Sequence, residues 1–97
     1  MAVMVLLDVQ AKAGMGDDLV ATFTAVLPDT RTFEGFLDVV VHQNQDDKDN
    51  LLLVERWVTR AAFEKYFGWR QETGVIDQLV AACTGPPSIR YYDITDA

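Results

Sequence analysis

Three short stretches of this sequence are almost continuously apolar, and they restrict the possible folds more than any other feature. They read VMVLL from Val3, DVVV from Asp38 and LLLV from Leu51. Their length and their branched side chains predict β-strands. Because a sheet with one face in water alternates apolar and polar residues, these runs predict a sheet covered on both faces. Helices can cover one face, and a second copy of the sheet is the simplest cover for the other. We therefore expect a homodimer.

The segments around these runs follow a regular order of strand and helix. We predict strands at residues 3–12, 36–43, 51–58 and 88–94, the middle two joined as a hairpin by the turn QDDKDN. A first helix starts near Asp17 and stops at Pro28, and a second helical region is capped by Thr59 and interrupted at Gly74. The order β-α-β-β-α-β predicts a ferredoxin-like α+β fold with an antiparallel sheet, as a single domain over residues 1–97.

Charge and length narrow the range of partners. Eight basic and fifteen acidic residues give a net charge of −7, and the basic residues are spread along the chain. Nucleic acid and anionic membrane surfaces are therefore not expected to bind. A chain of 97 residues buries only about two thirds of its unfolded surface by itself, which again favours self-association.

The N-terminal segment and the metal-ligating residue types exclude further classes. Residues 2–7 form an apolar run of six residues followed by Asp8, which is too short for a signal peptide or a membrane span and predicts a cytoplasmic protein. A single cysteine, Cys83, and a single histidine, His42, leave no internal disulfide and no Cys/His metal site. Without a Gly-rich phosphate loop we expect no bound cofactor.

Large rings are concentrated in one segment, ERWVTRAAFEKYFGWR, at residues 55–70. Within it Phe63, Tyr66, Phe67 and Arg70 recur at i, i+3, i+4 and i+7, so they share one helix face. Such a stripe is typical of a core. Rings accompanied by one arginine also suit a mostly apolar pocket with a few polar groups, which makes these four residues candidates for binding a flat substrate.

Several short motifs then occur in a characteristic order: EGF at Glu34 to Phe36, the acidic hairpin turn, ERW ending at Trp57, and GPPSIRYYD near the end. Together they resemble the antibiotic biosynthesis monooxygenase domains of the dimeric α+β barrel superfamily, from Val3 to about Asp93. The resemblance implies a protomer that dimerises through its sheet, with a ligand pocket between sheet and helices. It also implies oxidation of a phenolic, quinol or polycyclic aromatic substrate by molecular oxygen, without metal or flavin.

The resemblance is incomplete at the pocket. Trp57 matches the pocket tryptophan of the family, but Leu53 and Phe63 stand where the polyketide oxygenases have an asparagine and a tyrosine. These replacements favour an alternative function, a non-catalytic small-molecule-binding or dimerisation domain. The haem-degrading branch requires an asparagine where this chain has Leu7, and an axial histidine that residues 69–83 lack. Haem degradation is therefore not expected.

Two ionisable residues on the hairpin are candidates for proton transfer or ion pairing. His42, the only histidine, is the natural candidate for a general base. Trp57 is the second catalytic candidate, as a pocket wall whose ring stacks on a planar substrate and whose indole N–H holds a carbonyl or phenolic oxygen. If the hairpin pairs His42 with Leu53, then Asp38, His42, Glu55 and Trp57 share one sheet face, whereas a shift of one residue would separate them. Glu55 interrupts an apolar strand and needs a partner or a proton. We expect it to form a structural ion pair at the dimer interface.

Overall fold

A four-stranded antiparallel sheet with helices packed on one face forms the protein. The computed structural model describes residues 2–97. The strands are β1 (Val3–Gln10), β2 (Phe36–Gln43), β3 (Asn50–Trp57) and β4 (Ser88–Asp93), and the helices are α1 (Gly16–Thr30), α2 (Arg60–Glu72) and α3 (Val75–Ala81). The strand order is β2-β3-β1-β4. Element order and topology confirm the predicted ferredoxin-like α+β fold.

The two central strands bury one face fully and the other only in part. In both β1 and β3 the odd-numbered residues are buried, while the even-numbered residues are half-buried or exposed. The odd-numbered residues pack against the helices in two apolar clusters, one around Leu7 and Leu53 and one around Trp57. We call the opposite surface of the sheet the outer face. It carries the even-numbered residues of β1 and β3.

Helix α1 continues past Pro28, so the predicted end of this helix was wrong. The helix ends at Thr30, and Pro28 lies within its last turn. Proline fixes φ at a helical value and removes one N–H donor. Near the C-terminus only a short part of the helix follows the missing hydrogen bond, so the turn persists. Thr30 is fully buried, and its packing holds the last turn in place.

The register of the β2–β3 hairpin differs from the pairing that we considered for His42. His42 pairs with Leu52, and the same register continues to the pair of Asp38 with Arg56. A β-bulge between Phe36 and Asp38 shifts only the pairing of Phe36. Because paired residues point to the same face of a sheet, His42 and Asp38 lie on the outer face. Glu55 and Trp57 are buried on the helix side. The four residues therefore do not share a face.

The second helical region starts and breaks where the sequence predicts. The Thr59 side chain accepts a hydrogen bond from the backbone N–H of Ala62 and caps α2. Gly74 has φ of 84°, a left-handed conformation that glycine adopts without strain, and it separates α2 from α3. Among residues 2–97 no helix has both the length and the apolar character needed to cross a membrane.

Candidate functional site

An apolar cavity lies between the sheet and the three helices. Its volume is about 60 Å³, and its walls come from β1, β3, α1, α2 and α3. Most of the lining residues are aliphatic or aromatic. The polar exceptions are Thr22, Glu55, Tyr66, Arg70 and Gln78. A mostly apolar wall with a few polar groups is the usual composition of a small-molecule site.

Glu55 is the carboxylate of this cavity. Its place in the buried register of β3 turns it toward the helices, and it is only 3% exposed. The indole Nε1–H of Trp57 donates a hydrogen bond of 2.9 Å to Glu55 Oε1. Burial disfavours the charged form and raises the pKa of Glu55 to about 7, although the Trp57 hydrogen bond opposes the rise. Neither ion pair formed within residues 2–97 involves Glu55.

The predicted role of Glu55 was therefore wrong in two respects. We expected a structural ion pair at the dimer interface. The carboxylate instead lies on the helix face, and its hydrogen-bond donor is the neutral indole of Trp57. One neutral donor is weak compensation for a carboxylate removed from water. This explains why burial dominates the shift in its pKa.

Arg70 is the buried cation of the same cavity. It is 4% exposed. Its Nε–H donates to Tyr66 Oη at 3.0 Å, and Nη2 donates to Thr30 Oγ1 at 2.9 Å and to the Val26 carbonyl at 2.8 Å. The hydroxyls of Thr30 and Tyr66 also bond each other, 2.6 Å apart. The guanidinium lies 4.6 Å from the Trp69 ring centre. These contacts tie the end of α1 to α2 and fix the direction of the arginine head.

One atom of each charged group remains free for a ligand. Within residues 2–97 Glu55 Oε2 accepts no hydrogen bond and Arg70 Nη1 donates none. Every fully enclosed side-chain polar atom in this part of the chain has a partner. Oε2 and Nη1 are therefore not fully enclosed, and both of their residues line the cavity. We infer that these two atoms face the cavity and offer an acceptor and a donor to a ligand.

Trp57 lies behind the cavity wall. It is 0% exposed, and it is not among the residues that line the cavity. Phe36, Phe63 and Tyr66 surround its ring with centroid distances of 5.5, 5.7 and 5.0 Å. The indole N–H, which we expected to hold a substrate oxygen, is occupied by Glu55. In this structure Trp57 orients a carboxylate.

His42 is placed away from the cavity. It is exposed, on the outer face beside Leu52. Asp38 shares that face and forms a bidentate ion pair with Arg56, with its shortest contact at 2.7 Å. The guanidinium holds the pKa of Asp38 below its usual range. The register thus separates His42 from both Trp57 and Glu55, and the protein does not assemble the four-residue constellation.

The aromatic stripe of α2 is brought together as the sequence predicts. Phe63, Tyr66, Phe67 and Arg70 all line the cavity. Phe63 and Tyr66 are also buried in the cluster around Trp57, so the core interpretation holds for them as well. Their role in binding a substrate stays a prediction.

Other lining residues were not identified from the sequence as parts of a site. Phe23, Val26 and Leu27 of α1 and Ile76 and Leu79 of α3 line the cavity. Their helical spacing is typical of a core face, and an apolar cavity wall has the same pattern as an apolar core. Residues 2–97 contain no group of three His, Cys, Asp or Glu residues arranged to hold a metal ion.

The fold and the site define a class: ferredoxin-like α+β proteins with an apolar cavity between the sheet and the helices. Residues 2–71 match the family described as Antibiotic biosynthesis monooxygenase. The chain belongs to this family. A search of functionally curated proteins returns no match.

Solved structures show the same fold at low sequence identity. Rv0793 from Mycobacterium tuberculosis is 21% identical with a TM-score of 0.83, over 100% of this chain and 98% of that one. A conserved protein from Methanosarcina mazei Go1 is 17% identical with a TM-score of 0.85, over 98% and 94%. A mutant of SnoaB, a cofactor-independent oxygenase from Streptomyces nogalater, is 12% identical with a TM-score of 0.83, over 99% and 95%.

Proposed function

We propose that this protein is a cofactor-independent monooxygenase that oxidises a phenolic, quinol or polycyclic aromatic compound with molecular oxygen. The observation that carries the proposal is the apolar cavity, whose aromatic wall holds one free carboxylate oxygen and one free guanidinium nitrogen. Membership of a monooxygenase family and structural similarity to a cofactor-independent oxygenase support this reaction class.

The cavity has groups suited to both the aromatic rings and the oxygen atom of such a substrate. Phe63 and Phe67 line the cavity with aromatic side chains that can contact a flat molecule, and Arg70 Nη1 can donate to a carbonyl or phenolate oxygen. A guanidinium stabilises negative charge on that oxygen, and so favours the electron-rich anion that reacts with oxygen. The protein then has to bind the compound, orient it and exclude water.

A substrate of this class requires the cavity to enlarge. A benzene ring needs about 150 Å³, whereas the cavity measures about 60 Å³. Helix α3 is the element best placed to move, because it has only seven residues and follows the left-handed Gly74. It also supplies part of the wall through Val75, Ile76 and Leu79. Outward movement of α3 would lengthen the cavity beside the rings of α2.

A non-catalytic small-molecule-binding domain is the second candidate. Leu53 and Phe63 favour it, because they line the cavity with apolar groups at the two positions where the resemblance calls for polar ones. Such a protein would use the same cavity and the same aromatic contacts. It would bind a phenol without activating it toward oxygen.

Ligand binding and oxygen consumption distinguish the two candidates. Anthrone and a panel of quinols would be added to the purified protein, with binding followed by calorimetry and oxidation by an oxygen electrode. We expect binding, together with oxygen uptake above the spontaneous rate. Binding without uptake would reject the enzyme and leave the binding domain.

Paired variants would locate the site. Phe67→Ala removes a ring that lines the cavity and should weaken binding about tenfold, the loss expected for an aromatic contact of about 1.4 kcal/mol. Leu37→Ala truncates an exposed side chain outside the cavity lining and should bind like the parent protein. Equal affinities for the two variants would place the ligand elsewhere.

A further inference from the structure

We propose that Glu55 is the general base of this site, that Arg70 Nη1 holds the substrate oxygen on which charge develops, and that Trp57 is a positioning residue that aims Glu55. This inference rests on the proposed function and names the proton acceptor that the reaction requires. It replaces His42, which lies on the other face of the sheet.

The carboxylate is held in one orientation by the core behind it. Trp57 Nε1–H fixes Glu55 Oε1 at 2.9 Å. The indole cannot turn freely, because the rings of Phe33, Phe36, Phe63 and Tyr66 pack around it. With Oε1 fixed, Oε2 borders the cavity and has no partner within residues 2–97. The free oxygen is thus presented in a constant direction to whatever occupies the cavity.

A purely structural role does not account for this arrangement. A buried carboxylate that only stabilises a fold is normally paired with a cation or saturated by several donors. Glu55 has one neutral donor, while Arg70, in the same cavity, gives its hydrogen bonds to Thr30, Tyr66 and Val26. A free acceptor and a free donor therefore line one apolar cavity. A ligand with an acidic hydrogen at one place and a ketone or phenol oxygen at another would satisfy both.

The pKa of Glu55 suits a general base. A general base works best when its pKa lies near the operating pH, and burial raises the pKa of this carboxyl to about 7. Tyr66 and Arg70 are the other ionisable groups in the cavity lining. The lining residues from β1, α1 and α3 carry no ionisable side chain, their polar members being Thr22 and Gln78. No other carboxylate lines this cavity to compete for the substrate proton.

The reaction can be written with all atoms accounted for, taking an aryl ketone with an acidic CH₂ as substrate. Glu55 Oε2 takes one proton from this carbon, and Arg70 stabilises the resulting enolate oxygen. The enolate gives one electron to O₂, and the substrate radical and superoxide combine through a new C–O bond. Glu55 returns its proton to the distal oxygen, which forms a hydroperoxide.

A second proton transfer completes the oxidation. Glu55 removes the remaining hydrogen from the same carbon, whose electron pair forms the carbonyl as the O–O bond breaks. The departing hydroxide takes that proton and leaves as water. The substrate exchanges two hydrogens for one oxygen atom, and the other atom of O₂ becomes water.

Glu55→Gln tests the base directly. The amide oxygen can still accept the Trp57 N–H, but the side chain cannot take a proton. With anthrone as the substrate we expect kcat to fall on the order of 10²- to 10⁴-fold while calorimetry shows that anthrone still binds. Glu55→Asp should retain part of the rate. Asp38→Asn removes a carboxylate on the outer face and should leave the rate unchanged.

Trp57→Phe tests the positioning role through the pH profile. In the parent protein kcat/KM should rise with pH and level off above about 7, as Glu55 loses its proton. The Trp57 hydrogen bond stabilises the carboxylate, so its loss should move the midpoint of this rise to higher pH. A merely structural tryptophan would lower the rate without moving the midpoint. Circular dichroism would establish that each variant is folded.

The outcomes separate this inference from the proposed function. Oxygen uptake by the parent protein that survives in folded Glu55→Gln would overturn the assignment of Glu55 and leave the oxygenase standing. An unmoved midpoint in folded Trp57→Phe would overturn the positioning role alone. If the parent protein binds anthrone but does not catalyse oxygen uptake, the proposed oxygenase function is wrong. The assignment of a general base for that reaction is then wrong as well.

Discussion

At the scale of single residues, Glu55 couples the stability of the protein to pH. Its pKa is raised from 4.5 to about 7 on folding, mainly because burial disfavours the charged form. The folded protein therefore binds this proton more tightly than the unfolded chain. The resulting stabilisation is fully present below pH 4.5 and is lost as the pH rises through about 7.

Glu55→Gln should remove this dependence, because glutamine does not titrate. At about 1.4 kcal/mol per pKa unit, the rise from 4.5 to about 7 corresponds to about 3 kcal/mol. Relative to that of the parent protein, the free energy of unfolding of the variant should therefore increase by about 3 kcal/mol between pH 4 and pH 8. Urea denaturation across this range measures the change. Asp46→Asn, at an exposed turn, serves as the control and should follow the parent curve. A stability curve of Glu55→Gln that runs parallel to the parent curve would contradict the raised pKa of Glu55.

Arg70 carries a structural role that lysine cannot replace. Its planar head bonds Tyr66, Thr30 and the Val26 carbonyl together, and an ammonium group cannot reproduce that fork. Arg70→Lys should lower the free energy of unfolding by about 2 kcal/mol, measured by urea denaturation at pH 7. Arg31→Lys is the control, because Arg31 is exposed and forms no ion pair within residues 2–97, and it should leave stability unchanged. Similar free energies of unfolding for both variants would show that the hydrogen bonds of the Arg70 guanidinium do not stabilise the fold.

At the scale of elements, the junction between α2 and α3 depends on the left-handed conformation of Gly74. A Cβ there meets no atom within 4 Å, so strain at φ of 84° is the only penalty for alanine. Gly74→Ala should cost about 1 kcal/mol. Gly68→Ala offers a matched comparison, since Gly68 lies inside α2 with equally open space around it. It should stabilise the protein by about 0.5–1 kcal/mol.

Thermal or urea unfolding of the two glycine variants checks these opposite signs. A destabilised Gly68→Ala would show that the α2 surface is covered by something that the single chain does not include. A neutral Gly74→Ala would show that the junction can relax to another conformation. Such relaxation would bear on ligand entry, because α3 forms part of the cavity wall.

At the scale of the whole molecule, the outer face of the sheet remains to be covered. Its centre is apolar, with Leu6 of β1 beside Val54 of β3, and Val54 beside the exposed Val40 of β2. The Asp38–Arg56 ion pair lies next to this apolar centre. An apolar patch rimmed by charge is typical of a protein interface. We expect two copies to pair through it.

Sedimentation equilibrium at micromolar concentration should therefore give twice the 10.9 kDa of one chain. Val54→Lys places a charge at the centre of the outer face and should give a monomer with unchanged circular dichroism. Ala21→Lys, on the exposed side of α1, is the control and should remain dimeric. A parent protein at 10.9 kDa would exclude this assembly.

The sequence by itself determined the order of the elements and most of their limits. Apolar runs, the Thr59 cap and the Gly74 break act between residues close in the chain, so they can be recognised without a structure. The aromatic stripe of α2 was recognisable for the same reason. The prediction that α1 ends at Pro28 was wrong, because whether a proline ends a helix depends on how much helix follows it and, here, on the packing of Thr30.

Only the tertiary structure decided which side chains meet. In the hairpin His42 pairs with Leu52 instead of Leu53, and this difference of one residue places His42 on the outer face while Glu55 is buried on the helix side. This register is stabilised by packing between segments that are distant in the sequence, and no local sequence pattern contains that information. The same packing holds the Trp57 indole against Glu55, and so turned a carboxylate that interrupts an apolar strand into the candidate base of the site.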